Sequence, residues 1–328
     1  MAVFFVFLWL IFVRKISIFA IETTLMKKYL KLLRVEQWVK NLFVFVPLFF
    51  SGNVKNLDLL SKSIFAFIIF SLAAGVVYIL NDYNDIEADQ KHPEKRRRPL
   101  ASGAVSKKTA ISILIGLIIV DVALILFAQF YFHRPVWKFA FIIAFYFVMN
   151  LAYTFKLKHV PIVDIFIIAI GFVLRVQAGG YITGIFISQW ATLLTFVLAL
   201  VLAIGKRRGE LINAQVSGKT RKALDGYNVQ FADIALSISV TLAIICYLMF
   251  TLSPEVQQKS HSSIFYTVIF VVFAFLRYLQ QTLVYNRTES PTKILYRDRY
   301  IQITLVLWVI SFLILIYFKH SILNFNLL

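Results

Sequence analysis

The chain has 328 residues, 60% of them hydrophobic, with a mean hydropathy of +0.80. Apolar runs close to the ~20 residues that carry an α-helix across ~30 Å of hydrocarbon recur along it. This excludes a water-soluble domain and also a β-barrel, which needs short alternating strands. The net charge is +18, from 34 Lys and Arg against 16 Asp and Glu. In a soluble protein that balance would suggest nucleic acid. Here no nucleic-acid-binding module of the usual kind is present, and basic loops facing the cytoplasm and an anionic leaflet account for the charge. Cys246, inside an apolar run, is the only cysteine, so neither an intramolecular disulfide nor a cysteine-based metal site is expected. The class is an all-α polytopic membrane protein.

In chain order, the first 25 residues stand apart. The run "MAVFFVFLWLIFV" stops at Arg14 and Lys15, too short for a comfortable span. It also lacks the basic n-region and small-residue cleavage site of a signal peptide. Residues 1–25 are expected to be an extension or an over-called start, with Met26 opening the basic stretch "MKKYLKLLRVEQWVKN". Nine spans follow at residues 37–52, 62–81, 107–129, 136–155, 160–180, 188–205, 233–252, 262–284 and 301–318. Segments 27–40, 82–108, 155–159, 205–232 and 285–300 hold 24 Lys and Arg, against 6 in the alternate connections. The positive-inside rule then places the N-terminus and these five segments in the cytoplasm, and the odd span count leaves the C-terminus outside. Residues 26–328 read as one domain, with function on the cytoplasmic face.

The densest charge cluster, "NDYNDIEADQKHPEKRRRPLASG" at residues 81–103, follows directly on the second span. Asp82, Asp85 and Asp89 are spaced i, i+3, i+7, which on a helix falls within roughly 60° of arc. Asn81 flanks them, and Glu87 points elsewhere. Three carboxylates on one face repel each other and call for a counter-charge. Mg²⁺, with Mn²⁺ as a substitute, prefers oxygen ligands and is held by carboxylates together with substrate phosphate. The spacing therefore reads as a metal–diphosphate clamp, against the plainer reading of a solvated acidic loop paired with its basic neighbours. Of the basic residues that follow, Arg96 and Arg97 read as ordinary positive-inside charge. Lys95 and Arg98 are candidate phosphate ligands, Arg98 because Pro99 biases it to an extended conformation and guanidinium can bind phosphate bidentately.

Two further stretches carry related chemistry. "YTFKLKHVPIVDI" brings Tyr153, Lys158 and Asp164 to a loop edge, Lys158 for phosphate and Asp164 for a metal or hydroxyl. "AIGKRRGEL" brings Lys206, Arg207 and Glu210 to the point where span six leaves the membrane. Arg175 lies three helical turns after Asp164 on the same face. Intramembrane charges default to functional or paired roles. Asp121 and Arg277, deeper in spans three and eight, are open to either.

"NDYNDIEAD" matches the NDxxDxxxD motif of the UbiA-type intramembrane prenyltransferases. With "RVEQWVKNLFVFVPLF", "LKHVPIVDIFIIAIGFVLRVQAGG" and "GKRRGEL" in order, the sequence from about residue 30 to 320 resembles the decaprenyl-phosphate phosphoribosyltransferase sub-family. The resemblance implies a nine-helix UbiA-type fold. It also implies transfer of phosphoribosyl from 5-phosphoribosyl diphosphate (PRPP) to a polyprenyl phosphate. Mg²⁺ on Asp82, Asp85 and Asp89 would then serve catalysis, and Lys95, Arg98, Lys206 and Arg207 would hold phosphates. Lys40 and Asn41 would lie near the lipid phosphate. Family members that use prenyl diphosphate donors carry a second motif, DxxxD, between spans six and seven. Here that loop holds only Glu210 and Asp225, a departure that suits the sub-family. The alternatives are an ordinary prenyltransferase with an aromatic or lipid acceptor, and a transporter or flippase, which would show repeats and a midplane site. The implied partners are PRPP, polyprenyl phosphate and membrane lipid, with no nucleic acid. Lipid chain length, downstream pathway and oligomeric state, a homo-oligomer included, are not readable.

Overall fold

The structure, a computed structural model, describes residues 24–132, 136–217, 222–286, 294 and 297–317. Most of the N-terminal extension, residues 1–23, lies outside them, as do residues 318–328, where the C-terminus was expected on the outer side. All secondary structure among the described residues is helical. A short amphipathic helix, α1 (Thr24–Leu32), leads in. The next passage is an eleven-residue 3₁₀ helix, Val35–Phe45, continued by the five-residue α2 (Val46–Phe50) with Pro47 in its first turn. Eight long apolar segments follow. They are α3 (Leu57–Asn84), α5 (Lys107–Tyr131), α6 (Trp137–Phe155), α7 (Val163–Thr183), α8 (Gln189–Ser217), α9 (Val229–Leu252), a composite segment, and α12 (Arg299–Tyr317). The composite segment is 3₁₀ at Ser262–Thr267, α at α11 (Val268–Leu279) and π at Gln280–Val284. The short α4 (Ile86–Gln90) follows α3, and α10 (Pro254–Lys259) follows α9. The chain is thus a multi-pass helical membrane protein.

Local sequence sets the helix starts. The side chains of Asn56, Ser106 and Asn228 accept the backbone N–H of Leu59, Thr109 and Phe231 at 3.2, 3.1 and 2.6 Å. Each satisfies one of the orphan donors at a helix N-terminus. With 28 residues, α3 is about 42 Å long, longer than the ~30 Å hydrocarbon core, and Asp82 lies in its last turn.

The segment at 37–52 is not a regular α-helical span. A 3₁₀ helix rises about 2.0 Å per residue against about 1.5 Å for an α-helix, so residues 35–50 cover roughly 30 Å as they are. They run from Arg34, at the charged end of the bundle, to Gly52, which packs on Ile316 at the other. This thin strut lies against α3 and α7. It comes close enough to α7 that a Cβ at Gly179 would overlap the carbonyl of Val44.

At the end away from the charge, Phe49, Phe50, Phe250, Trp308 and Phe312 interlock, with ring centroids 5.0–6.3 Å apart. Trp308 Nε1 donates to Tyr247 Oη at 2.7 Å, and that hydroxyl pairs with Thr267 Oγ1 at 2.6 Å. An apolar cavity of about 120 Å³ lies beside this cluster, lined by residues including Phe43, Phe172, Leu198, Phe275 and Trp308.

Gly179→Ala is expected to destabilise the protein by about 1–3 kcal/mol, the usual cost of overpacking, through separation of the strut from α7. Thermal unfolding in detergent checks this; an unchanged melting temperature would show that the strut is not seated there.

Candidate active site

The acidic motif lies where α3 ends. Asp82 is in its last turn. Asp85 terminates it with φ −101° and ψ 10°, and Asp89 lies on α4. The helical hydrogen bonding nearly continues through the break, from Asp85 N–H to Asn81 O at 3.0 Å and from Asp89 N–H to Asp85 O at 2.8 Å. Asp82 and Asp89 are buried and Asp85 is half-buried. Each carboxylate faces a cation from another part of the chain. Arg34 and Arg98 both donate to Asp82 Oδ1, the latter at 3.1 Å, and Arg98 also reaches Asp89 Oδ2 at 2.6 Å. Lys158 Nζ donates to Asp85 Oδ1 at 2.6 Å. Asp82 Oδ2 is buried with no hydrogen-bond partner. Among the described residues, no three His, Cys, Asp or Glu side chains gather into a group that could hold a metal ion.

The backbone explains how these cations arrive. Residues 95–97 form one 3₁₀ turn with exposed side chains. Arg98, ahead of Pro99, switches to φ −66° and ψ 147° and turns inward. Arg34 sits in the left-handed region, φ 48° and ψ 50°, at the elbow between α1 and the strut. Its guanidinium lies 5.0 Å from the Tyr78 ring centroid. Lys158 is buried on the 3₁₀ turn Leu157–His159 between α6 and α7.

A second cluster adjoins the start of α7. Asp164 is fully buried and accepts from Arg207 Nε and from the Tyr227 hydroxyl, both at 2.8 Å. Arg207, also buried, pairs with Glu210 through Nη1, and Tyr153 is within electrostatic reach of it. Lys206 is exposed, 3.9 Å from Glu210. Tyr227 also accepts the Ile162 N–H at 2.6 Å. Burial, reinforced by the hydrogen bond to Asp164, pushes the Tyr227 phenol far above its ordinary range, so it stays protonated and donates to the carboxylate.

Arg175 occupies a third position, inside the bundle. It donates to Asn41 Oδ1 at 2.8 Å, Gly171 O at 2.7 Å and Tyr146 Oη at 3.2 Å. The rings of Phe70, Tyr146 and Phe172 surround it at 4.8–5.5 Å. Asn41 is buried and also donates to Ser71, whereas neighbouring Lys40 is exposed. Of the remaining intramembrane charges, Arg277 pairs with Asp298 at 2.8 Å, while Asp121 is buried and its Oδ1 has no hydrogen-bond partner.

The structure thus gathers Asp82, Asp85, Asp89, Arg98 and Lys158 at one locus, and Asp164, Arg207, Glu210 and Tyr153 at another. Asn41 and Arg175 meet in the bundle interior. Lys95 stands exposed on its turn, and Asn81 contributes a backbone carbonyl. Sequence reasoning missed Arg34 and Tyr227. Arg34 opens the block "RVEQWVKN", and Tyr227 sits in the turn "DGYN". Each looks like a loop-edge residue until the chain folds back.

Fold and site together define a helical intramembrane enzyme with its polar chemistry at one membrane face. The sequence matches the UbiA prenyltransferase family over residues 42–306, and the chain belongs to that family. It is similar to the decaprenyl-phosphate phosphoribosyltransferase of Mycolicibacterium smegmatis, 34% identical over 305 residues covering 88% of this chain and 92% of the relative. That of Mycobacterium tuberculosis strain H37Rv is 33% identical, covering 85% and 91%. Its fold resembles that of a UbiA homologue from Archaeoglobus fulgidus bound to DMAPP and Mg²⁺, with a TM-score of 0.62, 18% identity and coverage of 87% and 99%.

Arg207→Gln would leave Asp164 as a buried, uncompensated charge. Breaking one half of a buried pair costs about 3–5 kcal/mol, so this variant should unfold at markedly lower temperature than wild type. A wild-type melting curve would show that Arg207 is not locked to Asp164.

Proposed function

We propose that this protein transfers the 5-phosphoribosyl group of PRPP to a polyprenyl phosphate, releasing pyrophosphate and forming a polyprenyl-phosphoribose. The observation that carries this reading is the make-up of the charged face. One acidic motif is matched acid for cation by Arg34, Arg98 and Lys158. The sequence from Lys206 to the start of α9 holds no second acidic motif, and Glu210, on α8, is drawn to Arg207. That balance suits two phosphorylated substrates with one diphosphate between them. Similarity to curated phosphoribosyltransferases over more than four-fifths of the chain supports it. Positive-inside bias supports a cytoplasmic site, where a soluble sugar diphosphate is available.

The residues fit a divalent cation. The donors at the motif are hard carboxylate oxygens, and Asp82 Oδ2 is buried without a partner, the atom a hard cation would satisfy. Asp82, Asp85 and Asp89 do not by themselves converge into a three-ligand group, so they would hold Mg²⁺, or Mn²⁺ in its place, together with oxygens of the substrate diphosphate. When bound, the ion would act as a Lewis acid on the leaving diphosphate.

The reaction breaks the bond from ribose C1 to the diphosphate oxygen and forms one from C1 to a lipid phosphate oxygen. A phosphate monoester is already anionic near neutral pH, so the chain need not supply a strong base. Its work is positioning and electrostatics. Arg98 and Lys158, with Lys95 and Lys206 at the rim, bind the phosphates of PRPP, and Asn81 borders the motif. Arg207, Glu210, Tyr153 and Asp164 form the wall of the site. Lys40, Asn41 and Arg175 serve the lipid phosphate. Arg175 makes its hydrogen bonds to neutral oxygens, which leaves its charge for an anion.

Membranes given radiolabelled PRPP, Mg²⁺ and polyprenyl phosphate are expected to move label into an organic extract. Asp85→Asn should lower that transfer roughly 100-fold or more while the protein remains folded in detergent, and excess EDTA should abolish it. Wild-type turnover in Asp85→Asn would sink the metal-clamp assignment. Incorporation from a labelled prenyl diphosphate into an aromatic acceptor, with no transfer from PRPP, would replace the reaction.

A further inference from the structure

The loop that presents Lys158 contains a strained turn. Ile162 has φ 68° and ψ −49°, and Val163 N–H donates to the Pro161 carbonyl at 2.8 Å. This is the positive-φ form of the γ-turn, which is rare and strained. A β-branched residue is among the least suited to that conformation. Such conformations persist only where the surroundings over-determine them, and they gather at functional sites.

What holds the turn comes from a distant part of the chain. The turn leaves the Ile162 N–H outside the helical ladder of α7, and the Tyr227 hydroxyl accepts it at 2.6 Å. The same hydroxyl donates to Asp164 Oδ1 at 2.8 Å, which fixes the direction of both bonds. Beside it the Pro161 ring packs on Gly226 so closely that a Cβ there would overlap the ring. Gly226 and Tyr227 therefore buttress residues 161 and 162. Four residues before the turn is Lys158, buried and bonded to Asp85 at 2.6 Å. Two residues after it is Asp164, bonded to Arg207.

We infer that Tyr227 is a positioning residue. By holding the 161–163 turn in its strained form, it keeps Lys158 at the acidic motif and Asp164 at Arg207. Tyr227 acts through the loop and touches no substrate. The inference rests on the proposed function for the identity of the ligand that Lys158 meets, and on geometry alone for the turn.

The test compares four full-length variants, Tyr227→Phe, Gly226→Ala, Ile162→Gly and the double variant Tyr227→Phe/Ile162→Gly. Tyr227→Phe removes only the hydroxyl. Loss of two buried hydrogen bonds should raise the KM for PRPP about tenfold, with a smaller change in kcat. It should also speed hydrogen–deuterium exchange across residues 157–166 of the purified protein. Gly226→Ala should raise KM in the same direction, by pushing on Pro161. Glycine adopts positive φ without strain, so Ile162→Gly alone should change KM little, and in the double variant it should recover most of the lost affinity.

A Tyr227→Phe protein with unchanged KM and unchanged exchange overturns the inference. So does a raised KM that Ile162→Gly fails to relieve, because that would place the hydroxyl on the substrate itself. A lower melting temperature with no KM change would reduce Tyr227 to a structural role and likewise overturn it. If wild-type protein transfers no phosphoribosyl group, the functional reading fails by itself. The exchange measurement still decides the turn.

Discussion

The site depends on acid–cation neutralisation at the end of α3. Three carboxylates so close in sequence would repel each other at the membrane face, and two of them are buried. Burial of a charge is tolerated only when it is paired and hydrogen-bonded. The partners come from three places: the elbow before the strut, the turn ahead of Pro99, and the loop between α6 and α7. One electrostatic requirement thus fixes three connections that no helix packing would otherwise bring together. The Asp164–Arg207 pair ties α7 to α8, which also pack on each other, and Tyr227 adds the loop before α9. Helices supply the frame, and ion pairs place the loops upon it.

The strut at 35–50 shows a different economy. An α-helix of that length would fall short of the hydrocarbon thickness, and the stretched 3₁₀ form covers it. Its slimness allows the close approach at Gly179 and puts Asn41 beside Arg175. That guanidinium is held by neutral oxygens and aromatic faces, an arrangement that stabilises a cation without cancelling it.

Much of this was legible from the residues, since long apolar runs reveal helices that must satisfy their own backbone in lipid. The stretch at 37–52 is helical as expected, but it is mostly 3₁₀ and is not one of the eight long apolar segments, because hydropathy reports apolarity and not helical form. Asp82, Asp85 and Asp89 could be singled out because helical spacing is local information. Arg98, nine residues from Asp89, was within local reach, but the distant partners were not, since Arg34 is 48 residues from Asp82 and Lys158 is 73 from Asp85. Arg207 was expected to meet phosphate and is found locked to Asp164. A Lys-Arg-Arg run says that charge is present, not which member turns inward. Tyr227 carried no signal at all, because its role comes from a backbone N–H left over by a turn that sequence alone does not announce.

The length of α3 also bears on which molecules the site meets. A helix longer than the hydrocarbon is thick, with the motif in its last turn, suits a position near the phospholipid headgroups, the commonest phosphates in a membrane. Three bare cations at that depth would be crowded by ordinary phosphodiesters. With each already opposed by a carboxylate, the face exerts little pull on a passing bilayer lipid. A ligand must bring enough to displace those carboxylates before the cations become available. Under the proposed reaction, the same residues that prepare the site for a diphosphate thereby shield it from the membrane in which it is set.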